Sequence, residues 1–437
     1  MKTGFISLGC VKNLVDSEEL MGRLKACGYT FVPDPNEAEL IVINTCGFIQ
    51  SAKEESINTI LEMAEYKQKN LKYLIVAGCL SQRYKSELEA ELPEVDRFIA
   101  IDEYADFENI VAEVCRTSDF VTQKAERVLS GKPWMAYLKI GDGCSNRCTF
   151  CAIPLIRGPY HSYAMEEIIA QAKDLAEKGV KELVLIAQDT SKYGIDFDGK
   201  LHLLDLLKEL HKIEGFHWIR VLYMYPDEIT TELIDGMAQL EKVVPYFDIP
   251  TQHASNRLLK KMNRRGSKES IVDLCKYIRS SFKYCTLRTS IIVGFPSESE
   301  EEFEELMDFV REIGWDRLGA FTYSREEDTP AYDFDGQIEE EVKEERLARL
   351  MELQQQISQK NSEKLINETL EVLIEGYDSI RDVYRGRSVL SAPDGVDGVV
   401  FVDTDQKLIP GEFYNVKITG AKVYDLIGKI ILVIGLQ

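Results

Sequence analysis

Residues 135–158 read MAYLKIGDGCSNRCTFCAIPLIRG, and this stretch decides how the rest of the chain is interpreted. Its first part, Met135–Ile140, is an apolar segment typical of a buried strand. A loop with three cysteines follows at once, at positions Cys144, Cys148 and Cys151. The cysteines therefore lie at the carboxyl end of a predicted strand, where parallel-sheet enzymes place their chemistry.

The spacing of these cysteines is Cys-x3-Cys-x2-Cys, and thiolates this close together can bind one face of an iron–sulfur cluster. A [4Fe–4S] cluster that only transfers electrons normally has a cysteine on every iron. Three local ligands leave one iron open, as a catalytic metal site keeps a position free for its substrate. The alternatives are a zinc site or three unrelated cysteines.

Length and composition bound the remaining possibilities. A chain of 437 residues suggests about three domains. We expect a cytoplasmic protein without a membrane partner, because neither a signal-peptide pattern nor a membrane-spanning apolar run is present. Ten cysteines without compact disulfide spacing fit a reducing compartment. The formal charge of −22 argues against broad nucleic-acid binding and favours a basic partner.

A second cysteine triplet is predicted from three early apolar segments, each followed by a cysteine and then by a helical pattern. The segments are Phe5–Leu8, Leu40–Ile43 and Tyr73–Ala77, and the cysteines are Cys10, Cys46 and Cys79. Alternating strands and helices predict a parallel sheet, whose strand ends meet at one edge. The three thiols should converge there on a second cluster with an open iron. The alternative is three unrelated buried cysteines.

The other four cysteines are interpreted as structural. Cys27, Cys115 and Cys275 share helical stripes with apolar residues, where a free cysteine packs as a small hydrophobe. Cys285 is the first residue of the strand-like segment Cys285–Val293.

Between Trp134 and Arg325, six apolar strand candidates alternate with helical stretches, which predicts an open, partial version of the eight-stranded barrel. Residues that follow the predicted carboxyl ends of these strands are cofactor-site candidates: Gln188, Asp189, Gln252, His253 and Gly294. For His253, a structural hydrogen-bonding role is favoured, and a proton-transfer or orienting role is the alternative. The acidic run Glu298–Glu305 is interpreted as a solvated start of a helix.

The last hundred residues change character. Ile338–Leu365 predicts a long charged helix with an apolar seam, and residues 368–437 are predicted to be β-structure. This β-rich tail contains eleven acidic and seven basic residues, a net formal charge of −4. A domain with this net negative charge is better suited to binding a basic protein than to binding the phosphates of RNA.

Both triplets, with Ala187-Gln188-Asp189-Thr190, Gln252-His253-Ala254 and Gly294-Phe295-Pro296, resemble the methylthiotransferases of the radical S-adenosylmethionine (SAM) superfamily. The resemblance covers essentially the whole chain and implies an α/β protein in three domains. These are an amino-terminal parallel α/β cluster domain (1–125), a partial (β/α)6 TIM-like radical SAM barrel with a following helix (134–366), and a small OB-like TRAM β-barrel (368–437).

The resemblance also implies two [4Fe–4S] clusters and SAM as cofactors. In that family, SAM binds the open iron of the cluster on the Cys-x3-Cys-x2-Cys loop and is cleaved to a deoxyadenosyl radical. The cluster on the amino-terminal triplet carries or supplies sulfur, which is methylated by a second SAM and delivered to the substrate carbon. No further catalytic side chain is assigned. An electron donor of the reductase or flavodoxin type is expected.

One branch of the family modifies adenosine in transfer RNA, and another modifies an aspartate of a small-subunit ribosomal protein at its β-carbon. Cys151-Ala152-Ile153-Pro154 and Trp218–Pro226 look more like the ribosomal-protein branch, and the acidic tail agrees with it. We therefore expect the ribosomal protein as substrate and keep transfer RNA as the alternative. A non-catalytic iron–sulfur redox protein is a third reading, which would require fully ligated clusters.

Overall fold

The computed structural model describes residues 1–117, 125–393, 395 and 397–431. The sequence also predicts a polar linker at Arg116–Pro133 and a last strand at Lys429–Ile434, and part of each lies outside the described residues. The chain divides into two compact units. The first contains Met1–Lys132, Asp142–His161 and Ser324–Tyr332, and the second contains Pro133–Gly141, Ser162–Tyr323 and Asp333–Gln437. The predicted boundaries at 1–125, 134–366 and 368–437 stay a prediction.

The amino-terminal part of the first unit is a parallel sheet of five strands in the order β2-β1-β3-β4-β5. The strands are β1 (Lys2–Ser7), β2 (Thr30–Phe31), β3 (Leu40–Thr45), β4 (Tyr73–Gly78) and β5 (Arg97–Ile99). The helices are α1 (Val11–Ala26), α2 (Gln50–Ala64), α3 (Cys79–Glu91) and α4 (Phe107–Cys115). Strand β3 is buried along its whole length, because apolar clusters cover both faces of the sheet.

The next segment of the chain contains β6 (Met135–Lys139), β7 (Gly141–Asp142), α5 (Ile153–Arg157) and β8 (His161–Ser162). Strand β6 belongs to the second unit, whereas the cysteine loop that follows it belongs to the first. The chain therefore places the Cys-x3-Cys-x2-Cys loop in the same compact unit as the amino-terminal sheet.

The second unit contains the predicted partial barrel. Its further strands are β9 (Glu182–Ile186), β10 (Trp218–Val221), β11 (Tyr246–Asp248), β12 (Thr286–Val293) and β13 (Arg317–Thr322). Its helices are α6 (Met165–Glu177), α7 (Ile195–Asp198), α8 (Leu203–His211), α9 (Thr231–Ala238), α10 (Asn256–Lys261), α11 (Lys268–Ser281) and α12 (Glu300–Ile313). Parallel sheets β10-β9-β6 and β11-β12-β13 are linked by a bridge between Ile219 and Val243. The six-stranded open barrel is confirmed.

Helix α13 (Glu340–Glu363) follows, and its buried face differs from the predicted apolar seam. The buried side chains are mostly polar: Lys343, Arg346, Leu350, Gln354, Ser358 and Ser362. The helix lies beside edge strand β13, and Gln354 donates to the backbone oxygen of Trp315 at 2.9 Å. The predicted packing of this helix on the barrel is confirmed, and Leu350 is fully buried, but most of the other buried residues are polar because they satisfy backbone groups beside an otherwise open sheet edge.

The chain ends in a closed five-stranded barrel in the order β14-β15-β16-β18-β17. The strands are β14 (Thr369–Asp378), β15 (Val383–Ser388), β16 (Val400–Asp403), β17 (Phe413–Ala421) and β18 (Leu426–Ile430). Short 3-10 helices also occur at Pro35–Glu37, Glu65–Gln68, Ile101–Asp106, Thr190–Lys192, Pro226–Glu228 and Pro330–Asp333. Among the described residues, no helix combines the length and apolar composition needed to cross a membrane.

A buried ionic cluster joins this small barrel to the larger one inside the second unit. Glu182, the first residue of β9, accepts hydrogen bonds from Arg220 at 2.9 Å and from Arg387 at 2.5 Å. Burial alone would raise the pKa of Glu182, but the two guanidinium groups hold it below its usual value. Nearby, Tyr246 donates to Asp397, and Thr286 donates to the backbone oxygen of Leu390 at 3.0 Å. The small barrel thus covers the amino ends of the larger barrel's strands.

Candidate functional site

The amino-terminal cysteines follow three neighbouring parallel strands. Cys10 comes three residues after β1, Cys46 directly after β3, and Cys79 directly after β4. The register pairs Ser7 with Asn44 and Thr45 with Gly78, so all three cysteines lie at one edge of the sheet. The geometry therefore brings together residues that are far apart in the sequence.

Two glycines allow this close approach. Gly9 has a φ of +84°, and a Cβ added there would lie 2.6 Å from the Cβ of Cys46. Gly78 has a φ of +102°, and a Cβ there would lie 2.3 Å from the side-chain oxygen of Asn44. Both positions favour glycine by backbone conformation and by space.

The three thiols differ in exposure. Cys10 is exposed, whereas Cys46 and Cys79 are 8% and 6% exposed. Burial raises the pKa of Cys46, and it raises the pKa of Cys79 to about 12. A buried thiol of this kind is inert by itself, so it needs a metal or a cation to hold it as a thiolate.

The donor set fits an iron–sulfur cluster. No three His, Cys, Asp or Glu side chains within the described part of the chain are arranged to hold a metal ion. A cubane cluster takes one thiolate on each of several irons, so its cysteines stand further apart than the ligands of a single ion. Thiolates are soft ligands that suit iron–sulfur clusters rather than hard cations.

The second triplet lies in a loop closed at its base. The backbone N–H of Cys144 donates to the backbone oxygen of Gly158 at 3.1 Å, and that of Cys151 donates to Cys148 at 3.1 Å. All three thiols, on Cys144, Cys148 and Cys151, are partly buried. Gly143 has a φ of +71°, and a Cβ there would lie 2.2 Å from the backbone oxygen of Pro159. The loop is thus a compact turn with partly accessible thiols.

The polar candidates of the second unit lie at the carboxyl ends of its strands, as predicted. Gln188 and Asp189 follow β9, and Asp189 accepts a hydrogen bond from Ser191 at 2.6 Å. Gln252 has a φ of +71° and pairs through its backbone with β12. Gly294 directly follows β12. Their contacts with a cofactor stay a prediction.

His253 is completely buried, and its Nδ1 accepts a hydrogen bond from the backbone N–H of Ser255 at 3.0 Å. Burial lowers its pKa to about 3, so the ring is neutral at physiological pH. This environment is that of a buried, hydrogen-bonding histidine, and a contact of His253 with a cofactor stays a prediction.

Glu298 corrects the expectation that the whole acidic run is solvated. Its carboxylate is buried and accepts hydrogen bonds from the backbone N–H groups of Gly294 and Phe295. Burial raises its pKa to about 7, although Arg346 lies 3.2 Å away. The helix α12 itself begins two residues later, with Ser299 as its N-cap. Glu298 therefore supports the turn that contains Gly294.

Sequence reasoning missed the polar residues that connect the two cysteine triplets. The side chain of Arg157 forms ion pairs with Asp16 at 2.7 Å and Asp142 at 3.0 Å. It also donates to the side-chain oxygen of Asn13 at 2.6 Å and lies 3.7 Å from the Sγ of Cys79. No local motif signals these residues, because the partners are distant in sequence.

Comparison with known proteins agrees with this architecture. Residues 2–100 match the family described as uncharacterised protein family UPF0004, residues 138–310 match the radical SAM superfamily, and residues 366–431 match the TRAM domain. Ribosomal protein uS12 methylthiotransferase RimO of Acetivibrio thermocellus is 49% identical, with 98% of each chain covered. The same-named protein of Clostridioides difficile is 50% identical, with 99% of each chain covered. The chain belongs to the uS12 methylthiotransferase family.

Solved structures support the fold of this family member. The radical SAM methyltransferase TsrM of Kitasatospora setae, solved with cobalamin and a [4Fe-4S] cluster, superposes with a TM-score of 0.55 at 12% identity. The match covers 84% of this chain and 78% of that one. The cobalamin-dependent radical SAM enzyme OxsB gives a TM-score of 0.50 at 12% identity, and the chain spans about half of OxsB, 56%.

Proposed function

We propose that this protein is a radical SAM methylthiotransferase that adds a methylthio group to the β-carbon of an aspartate in ribosomal protein uS12. The observation that carries the proposal is the placement of both cysteine triplets in one compact unit, in a chain that belongs to the uS12 methylthiotransferase family. The alternative substrate, transfer RNA, has no support among these relatives.

Each triplet is assigned one [4Fe–4S] cluster. Cys10, Cys46 and Cys79 hold the first, at the sheet edge that Gly9 and Gly78 open for them. Cys144, Cys148 and Cys151 hold the second, in the loop closed by the hydrogen bond from Cys144 to Gly158. When bound, the clusters and SAM supply an open iron, transferable sulfur and a carbon-centred radical.

We assign the SAM contacts to residues at the carboxyl ends of the barrel strands. The Gly294 turn and the backbone of Gln252 present polar groups at the carboxyl ends of the barrel strands, where barrel enzymes bind substrates. Glu298 holds the Gly294 turn, because its carboxylate accepts from the backbone N–H of Gly294. His253 is neutral and buried and accepts from the backbone N–H of Ser255, so it supports the local turn rather than transferring a proton.

The substrate assignment also rests on charge. The chain carries a formal charge of −22, and its last 70 residues carry −4. An acidic surface attracts a basic ribosomal protein and repels a nucleic acid. We propose that the reaction takes place in the cytoplasm, with electrons from a reductase or flavodoxin type of donor.

The test uses the full-length protein with both clusters reconstituted, reduced in the presence of SAM. One sample receives ribosomal protein uS12, and the other receives isopentenyl-adenosine transfer RNA. We expect a methylthio mass gain on a single aspartate of uS12 and none on the RNA. A gain on the RNA alone would reject the proposal.

The third reading, a redox protein without catalysis, is tested separately. Addition of SAM should change the spectrum of the cluster on Cys144, Cys148 and Cys151, because an open iron can take a new ligand. An unchanged spectrum, with all irons already ligated by protein, would favour the redox protein.

A further inference from the structure

Arg157 has no role in the reaction as described above, yet its side chain is only 3% exposed. It is the last residue of the short helix α5 that follows the cysteine loop. Two carboxylates hold its charge, Asp142 on the loop side and Asp16 on helix α1. A buried guanidinium with this much support is kept in one orientation.

That orientation directs the guanidinium at a cysteine of the other triplet. One nitrogen of Arg157 lies 2.6 Å from the side-chain oxygen of Asn13 and 3.7 Å from the Sγ of Cys79. The amide nitrogen of Asn13 donates to the backbone oxygens of Leu8 and Thr45, which fixes its oxygen toward Arg157. The same oxygen lies 3.4 Å from the Sγ of Cys79.

Ligation changes what Cys79 can do in this contact. A thiol can donate its proton to Asn13, but a thiolate bound to iron is only an acceptor. Arg157 is permanently charged and remains a donor in either state. Its N–H group is therefore the available partner for the sulfur of a ligated Cys79.

Hydrogen bonds to ligand sulfur, net charge and solvent exposure set the reduction potential of an iron–sulfur cluster. A nearby cation stabilises the more negative, reduced state. The effect is large here because Cys46 and Cys79 are both buried, and a low local dielectric strengthens charge interactions.

We propose that Arg157 is a positioning residue that raises the reduction potential of the cluster on Cys10, Cys46 and Cys79 by donating to the sulfur of Cys79. The same side chain, through Asp142, anchors the base of the loop that carries the other triplet. This inference rests on the ligand roles given under the proposed function.

The test isolates one cluster in the full-length chain. Replacing Cys144, Cys148 and Cys151 with alanine leaves the amino-terminal cluster alone, and its midpoint potential is read by redox titration with electron paramagnetic resonance. In this background we expect Arg157→Gln to lower the midpoint by about 59 mV, a tenfold change in the oxidised-to-reduced ratio. Arg157→Lys, which keeps the charge, should lower it less.

Asp142→Asn is the matched control, because it loosens the same ion-pair group but leaves the Arg157 donor in place. We expect its midpoint to stay unchanged or rise, since a negative charge is removed. An unchanged midpoint in Arg157→Gln would overturn the inference, and so would an equal fall in Asp142→Asn. Loss of the cluster in the triple-alanine background itself would instead reject the ligand role of the amino-terminal cysteines. If Arg157→Gln fails to fold, Arg157→Lys decides the question by the same readout.

Discussion

Arg387 donates to Glu182 at 2.5 Å, and the two side chains are 1% and 0% exposed. This pair joins strand β15 of the small barrel to the first residue of β9 in the larger one. Glu182 also pairs with Arg220, so the buried carboxylate balances two guanidinium groups. The carboxyl-terminal barrel therefore packs, through a buried ion pair, against the amino ends of the strands of the larger barrel.

We expect Arg387→Met to destabilise the protein by about 3 kcal/mol, because it removes one partner from a buried, hydrogen-bonded charge pair. The measurement is the midpoint of urea unfolding followed by circular dichroism. Arg385→Met is the control, since Arg385 is an exposed arginine on the same strand. Equal midpoints for the two variants would contradict the assigned importance of the pair.

Glu298 gives a pH prediction with a defined sign. Its pKa in the folded protein is about 7, above the usual value of 4.5, so the folded state binds the proton more tightly. This group's contribution to stability is complete below about pH 4.5 and is lost as pH rises through 7. Because a shift of one unit corresponds to 1.36 kcal/mol, the loss is about 3 kcal/mol at most.

Glu298→Gln should remove that pH dependence. The quantity to compare is the slope of unfolding free energy between pH 5 and pH 8 in the two proteins. We expect the wild-type curve to fall relative to that of the variant. Glu301→Gln is a suitable control, because Glu301 is exposed on the first turn of α12, the helix that follows Glu298. Parallel curves for wild type and Glu298→Gln would reject the burial argument.

The ligand assignment predicts a specific metal loss. Cys79→Ser should lose the amino-terminal cluster and reduce bound iron by about half, because the protein holds two clusters of equal size. Iron and acid-labile sulfide are measured after reconstitution. Cys27→Ala, a partly buried cysteine packed against the core of the same unit, should keep the full iron content. Full iron in Cys79→Ser would remove Cys79 from the ligand set.

Glu326 should stabilise the segment Ser324–Tyr332 within the first unit. It lies 3.2 Å from both Arg83 and Lys53, accepts from Ser324 and from the backbone N–H of Gln50, and is 2% exposed. Burial alone would raise its pKa, but these donors lower it. We expect Glu326→Ala to cost about 3 kcal/mol and to speed proteolysis within this segment.

The comparison variant is Glu327→Ala, at the next position. Glu327 is exposed and accepts a hydrogen bond from Tyr84. Its removal should leave both the unfolding midpoint and the cleavage rate close to wild type. Identical cleavage of the two variants would show that the buried network does not hold the segment.

Strand positions were largely predictable, because short apolar runs bounded by turn residues suit strands buried on both faces. The run Leu40–Ile43 predicted β3, which the structure extends to Thr45. In the tail, the apolar runs predicted strands at Leu370–Glu375, Gly398–Val402, Tyr414–Gly420 and Lys429–Ile434. Strand β15 was missed, since its sequence VYRGRS contains a glycine and two arginines. One of those arginines, Arg387, is buried because it pairs with Glu182. The two residues are 205 positions apart in the sequence, so no local pattern indicates that Arg387 is buried.

The candidate site was predictable where chemistry and spacing coincide, as in the two cysteine triplets. Asn13 and Arg157 were missed because their contact joins residues 144 positions apart. The buried polar residues of α13 were missed for a related reason: Lys343, Gln354 and Ser358 are buried beside the backbone groups to which they donate. From the sequence alone, polar residues of this kind are assigned to the solvent-exposed surface, because the partners that make their burial possible are not evident.

The assignment of Asp142–His161 and Ser324–Tyr332 to the first unit has a practical meaning for anyone building hybrid enzymes. Exchanging residues 1–132 alone with those of a relative would separate Cys79 from its native Arg157, and Arg83 from its native Glu326. A functional graft has to carry all three pieces of sequence together.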